Sequence, residues 1–327
     1  MHAPVARKPA ALIRLAKPDA NASVFRLTGR DALAVKAGTV FNGHRFKSDA
    51  AVEVVSDDGV LVAGADYGVT LWQGVVRARR ALQIPEGETV IGGFHYAPGG
   101  HASARIGGDD IPAINPYSFW DINFRPDCRD PRGMALVESP SGTFWCDIYL
   151  TGANCHLDGT SKFEATIADG NDPPVDPATG ERFKRFDYAA ACAVMSHHGK
   201  GLLGLDEFPY AAFGVTEKSA HKGDPRTTGL DAPRTSRFGL MQATGNLWVW
   251  GHDGDPDEPR ASMFGGSWIG GDDAGSRYAH VAYIWPEYSG DVLGARGRSD
   301  HMQLDGRCDS SAVARAARTR GRVGSRR

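Results

Sequence analysis

The chain has 327 residues, of which 41% are hydrophobic, and its formal net charge is -2 at pH 7. A chain of this length can bury a sizeable core and is long enough for two domains, while its near-neutral charge argues against nucleic acid as the main partner. The 41 glycines and 19 prolines favour a loop-rich, β-rich fold over a helical one.

Short apolar segments separated by turn signals fill residues 21–90. Two of these signals are Asn42-Gly43 and Asp58-Gly59. Such spacing predicts a small all-β domain of the sandwich type, preceded by an N-terminal arm at 1–20. Aromatic phrases and longer polar loops begin beyond residue 90, so we predict a domain boundary there and a second domain at 91–308.

Two amphipathic segments of the second domain predict helices. The first is FDYAAACAVMSHH at 186–198, which Gly199 would cap, and the second is LDEFPYAAFGV at 205–215. The polar, turn-rich segment 216–236 predicts a long surface loop. At the end of the chain, residues 309–327 contain six arginines and no carboxylate after Asp309, which predicts a disordered tail.

The cysteines and the apolar runs limit the cellular setting. The five cysteines have no CxxC spacing, so neither a disulfide framework nor a zinc site is indicated, and reduced thiols are expected; they are Cys128, Cys146, Cys155, Cys192 and Cys308. The N-terminus lacks the apolar segment of a signal peptide, and no run approaches the ~20 apolar residues of a membrane span. We therefore predict no membrane insertion.

Candidate chemistry is sparse. His197 and His198 are adjacent, so on a helix their side chains point ~100° apart, and a position at a helix C-terminus explains one of them. The phrase HDGDPDE at 252–258 lacks the spaced ligands of a calcium loop and predicts a solvated acidic turn. Because no nucleophile-elbow, phosphate-loop or zinc-protease motif is present, we predict no catalytic residue, metal site or cofactor.

Phrases in the second half of the chain carry a resemblance to a known family. GNLWVWG places Trp248 and Trp250 on the same side of a strand, and FGGSW, GSR and GAR follow it in that order. This order resembles the C-type-lectin-like fold, in the branch shared by formylglycine-generating enzymes and the variable proteins of diversity-generating retroelements. Residues 91–304 are similar to the phage major tropism determinants. The further phrases that carry this similarity are IGGFHYAPGG, INPYSFWDINFRP, FWCDIYLTGAN and LGARGRSDH. The resemblance implies an α+β, β-rich chain, in which the small all-β domain precedes a C-type-lectin-like domain.

The resemblance also implies a function. Members of this family are receptor-binding proteins at the tips of phage tail fibres, so we expect a homotrimer on a virion, with a cell-surface receptor and other tail-fibre proteins as partners. The lectin-like domain would present a surface that a retroelement rewrites, and no cofactor or enzymatic activity is expected. The side chains of a rewritten surface must project into solvent from a backbone that other residues stabilise. Here those residues are expected to be Trp248, Trp250, Phe264 and Trp268.

Eleven positions are predicted to form this ligand-binding, variable surface. Trp285 is included because the stretch 277–294 is one residue longer than its counterpart in the family, which leaves the register there open. Large aromatic side chains at such a surface provide contact area at a small entropic cost. The positions are Ser267, Ile269, Gly271, Asp273, His280, Ala282, Tyr283, Trp285, Tyr288, Gly290 and Leu293.

Three alternatives remain open on the sequence. A variable protein encoded by a bacterium, acting in surface binding or ligand sensing, is one, because the N-terminal prism of the phage proteins has no counterpart here. A formylglycine-generating type of enzyme is another, although residues 193–307 contain no cysteine. A calcium-dependent sugar lectin is the third, but WPEY lacks the paired ligands for a sugar-bridging calcium.

Overall fold

The computed structural model describes residues 14–56, 59–85, 87–100, 109–255, 257–282 and 285–302. Strands dominate this part of the chain, and its helices are few and short, as the glycine and proline content predicts. Tyr283, Cys308, the first 13 residues of the predicted arm and the predicted tail at 309–327 lie outside the described residues.

The N-terminal part is built only of strands and two short 3-10 helices. Its strands are β1 (Leu15–Ala16), β2 (Phe25–Leu27), β3 (Leu33–Val35), β4 (Val40–Phe41), β5 (His44–Arg45), β6 (Ala50–Ala51), β7 (Glu53–Val54), β8 (Ala65–Trp72), β9 (Val75–Arg80), β10 (Val90–Ala97), β11 (Ala113–Ile114) and β12 (Trp120–Asp121), and its 3-10 helices are Ala81–Gln83 and Pro116–Ser118. They form sheets in the orders β1-β4-β5, β2-β3-β6 and β11-β10-β8-β9-β7, and β12 also pairs with β10. One apolar core joins the sheets, as expected for a small all-β domain.

The sheet that contains β8 and β9 continues beyond residue 90, where the sequence predicts a domain boundary. β10 begins at Val90 but pairs antiparallel with β8, and it also pairs with β11 and β12. The ring of Phe94 in β10 stacks on that of Tyr67 in β8, with centroids 5.3 Å apart. β10 is buried along most of its length. The aromatic residues Phe94 and Tyr96, which belong to the first aromatic phrase beyond residue 90, therefore lie in a strand of the N-terminal sheet.

The C-terminal part contains two further sheets and the α-helices. Its strands are β13 (Met134–Ser139), β14 (Gly142–Asp147), β15 (Leu203–Gly204), β16 (Trp248–His252), β17 (Ala261–Phe264), β18 (Ala279–His280), β19 (Leu293–Gly294) and β20 (Arg298–Asp300); its helices are α1 (Cys155–Asp158), α2 (Tyr188–His197), α3 (Phe208–Ala211) and the 3-10 helix Ala232–Arg234. The sheet orders are β13-β14-β20 and β15-β16-β17-β18, and β19 pairs parallel with β16.

One predicted helix is confirmed and the other is much shorter than predicted. The Asp187 carboxylate accepts a hydrogen bond from the Ala190 N–H at 3.0 Å and caps α2, which ends before Gly199 at φ +69°. The segment 205–215 contains only the four residues of α3, which has Pro209 in its first turn; Gly214, at φ +96°, keeps the chain beyond it from continuing as a helix. None of the described helices is long and apolar enough to cross a membrane.

The predicted surface loop 216–236 is partly buried. Arg234 is 9% exposed; its guanidinium pairs with Asp231 at 2.8 Å and donates to the Ser219 carbonyl at 3.1 Å. Polar side chains that satisfy one another can enter an interior, so polarity alone did not indicate exposure. In the predicted acidic turn at 252–258, His252 ends β16 and is half-buried, as is Asp253, while the other described residues are exposed. The carboxylates of Asp253 and Asp255 accept backbone N–H groups.

Candidate functional site

The sheet β15-β16-β17-β18 supports the segment that contains the predicted site. Trp250 in β16 and Phe264 in β17 are fully buried, and Phe264 stacks on Phe208 with ring centroids 5.0 Å apart. Trp248 and Trp268 are half-buried. Trp248, Trp250 and Phe264 pack in or against the core, as predicted for a scaffold. The Trp268 indole N–H donates to the Asp291 carbonyl at 3.5 Å.

A buried arginine fixes the C-terminal end of this segment. Arg296 is 2% exposed, and its guanidinium donates to the backbone carbonyls of Asp147 and Ile148, each at 2.7 Å, and to those of Met241 and Gln242. Burial lowers the pKa of this guanidinium from its usual value. The GAR phrase contains this residue, but its partners are brought together only by the fold, so the sequence alone could not identify its role.

Main-chain hydrogen bonds hold the segment in place. They run from the N–H groups of Gly265, Trp268, Tyr188 and Trp248 to the carbonyls of Tyr278, Asn246, Pro286 and Val292 respectively, at 2.8 to 3.0 Å. A main-chain bond does not depend on which side chain the residue carries. The path of the segment is therefore set largely without its exposed side chains.

Gly266 allows a close approach that no other residue would permit. It has φ +77°, and a Cβ at this position would lie 2.4 Å from the Asp273 carbonyl oxygen and 2.6 Å from the Ala274 Cα. These distances are far below van der Waals contact. The glycine of the FGGSW phrase thus lets the 271–274 turn fold back onto the end of β17.

Most of the described predicted positions face solvent. Trp285 is 80% exposed, Ile269 63% and Tyr288 43%. Gly271, Asp273, His280 and Ala282 are also exposed, and Gly290 is half-buried. We refer to these eight residues, Ile269, Gly271, Asp273, His280, Ala282, Trp285, Tyr288 and Gly290, as the display surface.

Two predicted positions do not project into solvent. Ser267 and Leu293 are both fully buried. Ser267 forms an isolated parallel bridge with Asn246. Leu293 lies in β19, pairs with Trp248, and belongs to the same apolar cluster as Trp250. The expectation that every predicted side chain is free of folding duty is therefore wrong at these two residues.

The titratable groups of the described residues offer little for metal chemistry. No group of three or more His, Cys, Asp or Glu side chains in the described ranges is placed to hold a metal ion. His198, at the C-terminus of α2, has its pKa lowered by burial and by the nearby Lys200 ammonium. The Cys146 thiol is fully buried, which raises its pKa to about 12.

Comparison with known proteins identifies the family. Residues 23–121 match the family described as Mtd second domain. The last matched residue, Asp121, is also the last residue of β12. The chain is 38% identical over 347 residues to the tail fiber receptor-binding protein of Bordetella phage BPP-1, a match that covers 92% of this chain and 88% of the relative. This chain belongs to the major tropism determinant family.

Solved structures of the major tropism determinant family have the same fold as this chain. The I1 and M1 variants of the major tropism determinant superpose with TM-scores of 0.80 and 0.81, each at 38% identity and covering 89% of this chain and 86% of the solved chain. The predicted α+β, β-rich architecture with a C-type-lectin-like domain is therefore confirmed. These relatives are named for receptor binding and tropism rather than for catalysis.

Proposed function

We propose that this chain is a phage tail-fibre protein that binds a receptor on the host-cell surface through its display surface, and that it acts as a homotrimer at the virion tail. Its relatives support this proposal, since one of them is named as a tail-fibre receptor-binding protein. The observation that carries it is the exposure of Trp285, Ile269 and Tyr288 on a backbone that the scaffold holds.

The composition of the display surface suits protein recognition. Trp285 and Tyr288 are large, rigid side chains of the kind that dominate binding energies at interfaces. Glu287 is exposed beside them in the same open cavity, and Asp272 and Asp273 are exposed in the turn that follows Ile269. An aromatic and aliphatic centre with a polar rim is the usual anatomy of a protein interface.

We further propose that the display surface, together with Tyr283, varies between versions of this protein by retroelement copying. Main-chain hydrogen bonds fix the segment, so most of its exposed side chains can change without loss of the fold. Three copies on one fibre would convert a weak single site into stable attachment through effective concentration. Light scattering should then give a mass of three 35.0 kDa chains.

Binding of the purified, fluorescently labelled chain to intact cells of a strain to which it attaches tests the receptor proposal. Replacing Ile269 and Trp285 together by alanine should weaken cell binding by at least ~10-fold, because two central anchors are removed. Leu157→Ala is the matched control, since Leu157 is 78% exposed but lies outside the display surface. Equal binding by the double variant and the control would reject the proposal.

A further inference from the structure

We propose that the receptor site has a fixed cationic wall, formed by Lys184 and Arg185, which selects an acidic segment of a protein partner. This inference rests on the proposed function and extends its site. Both residues lie outside the 267–293 block to which that function assigns variation, so each version of the surface would carry them.

A groove joins this wall to the display surface. Lys184 and Arg185 line an open cavity of about 520 Å³, with Trp285 and Tyr288 on its other side. The same two cations also line an adjoining cavity of about 570 Å³ over the start of α2. Cavities of this size accommodate several side chains of a partner.

Hydrogen bonds hold the wall and the display surface together. The Phe186 N–H donates to the Ser289 hydroxyl at 2.9 Å, and the Tyr188 N–H donates to the Pro286 carbonyl at 3.0 Å. The two sides of the groove are therefore held at a fixed separation. A partner that contacts Trp285 is then also within reach of the cationic wall.

The charge in the groove is unbalanced. Lys184 and Arg185 are exposed, and no ion pair or hydrogen bond within the described ranges engages either side chain. Glu287 is the one carboxylate among the described residues that line the first cavity. Asp187, which lines the second, accepts the Ala190 N–H and caps α2. Two cations thus face one carboxylate that is not already engaged.

An acidic polypeptide fits this arrangement. Its carboxylates would pair with Lys184 and Arg185, the second of which can bind a carboxylate through two N–H groups. Its apolar side chains would pack on Trp285 and Tyr288. Fixed charges of this kind raise the association rate and disfavour basic partners, whatever the neighbouring side chains are.

Two labelled peptides of equal length and identical aromatic positions test the proposal, one rich in Asp and Glu and the other in Lys and Arg. Fluorescence anisotropy with the full chain at low salt should show the acidic peptide binding at least ~10-fold more tightly. The Lys184→Gln/Arg185→Gln variant should lose this preference. The matched control, Lys222→Gln/Arg260→Gln, removes two exposed cations outside the groove and should keep it.

Equal binding of the two peptides, or an unchanged preference in the Lys184→Gln/Arg185→Gln variant, would overturn the proposal. Tighter binding of heparin than of the acidic peptide, with the same dependence on Lys184 and Arg185, would overturn the choice of a protein partner. If the preference fails while the Ile269→Ala/Trp285→Ala variant still binds cells more weakly than the control, the groove is rejected and the proposed function stands. If that double variant binds cells as well as the control, the proposed function itself fails.

Discussion

At the scale of single residues, glycines of the displayed segment differ in what they contribute. Gly266 and Gly271 both have positive φ, at +77° and +56°. A Cβ at Gly266 would clash with the Asp273 carbonyl, whereas a Cβ at Gly271 meets nothing within 4 Å. The first residue is therefore required by packing, and the second only by backbone conformation.

This difference predicts unequal costs of substitution. Gly271→Ala should lower the free energy of unfolding by about 1 kcal/mol, the usual cost of a left-handed residue with a Cβ. Gly266→Ala should lower it by more than ~2 kcal/mol, because the backbone of the 271–274 turn must also move. Urea unfolding of the two variants measures both values. Equal costs would show that the close approach does not constrain the segment.

His301 gives the stability of the fold a dependence on pH. The Trp145 indole N–H donates to its Nδ1 at 2.9 Å, and its ring packs against those of Trp145 and Phe124, which also contact each other. Burial, and then the charge of Lys17, lower the pKa of this imidazole. A histidine whose folded pKa is depressed stabilises the fold above its unfolded pKa, near 6.5, and this stability is lost as pH falls below that value.

The free energy of unfolding should therefore decrease between pH 7.5 and pH 5.5. His301→Phe keeps a ring in the site but cannot bind a proton, so its unfolding free energy should decrease less over the same interval. His198, whose pKa burial also lowers, contributes in the same direction, so a smaller slope remains in the variant. Denaturant unfolding at the two pH values measures the slopes. An equal slope in the variant would contradict this role for His301.

At the scale of elements, β19 marks where the displayed segment rejoins the core. Leu293 is buried beside Trp250, whereas Ile269 is 63% exposed. Leu293→Ala should lower the unfolding free energy by about 2–5 kcal/mol, as large-to-small changes in cores do. Ile269→Ala should change it by less than ~0.5 kcal/mol. If Leu293→Ala has only a small effect on the unfolding free energy in thermal or urea unfolding, Leu293 belongs to the variable surface after all.

The sequence predicted those secondary-structure elements that are determined by residues close to them in sequence. α2 was predicted from the amphipathic pattern of 186–198 and from Gly199, which directly follows it in sequence. The predicted helix at 205–215 shrank to α3, since the amphipathic pattern there reflects the burial of Phe208 and Ala211 against the core rather than a long helix. The exposure of Ile269 and Trp285 followed from the family resemblance, not from periodicity.

Features that depend on distant partners were not predictable in this way. The hydrogen bonds of Arg296 reach carbonyls more than 50 residues away, and the Lys200–Asp147 ion pair spans 53 residues. The burial of Ser267 also depends on its bridge to Asn246. No local pattern encodes such contacts, so the resemblance placed Ser267 and Leu293 on a surface that the packing excludes.

At the scale of the whole molecule, most of the contacts that stabilise the fold lie outside the display surface. The cores, the buried Arg296 and the main-chain hydrogen bonds hold the fold, while the display surface contributes few of these contacts. This division would let the proposed variation of the surface proceed at little cost in folding free energy. The cationic wall would then be a constant part of an otherwise changing site.

Deep sequencing of the gene across residues 263–304 in a population of its source, with the flanking DNA, tests this division most directly. We expect substitutions to cluster at the display surface and at Tyr283, to spare Gly266, Leu293 and Arg296, and to match a nearby copy of the segment that differs at adenines. An invariant segment with no such copy, or substitutions spread evenly over buried and exposed positions, would contradict the account.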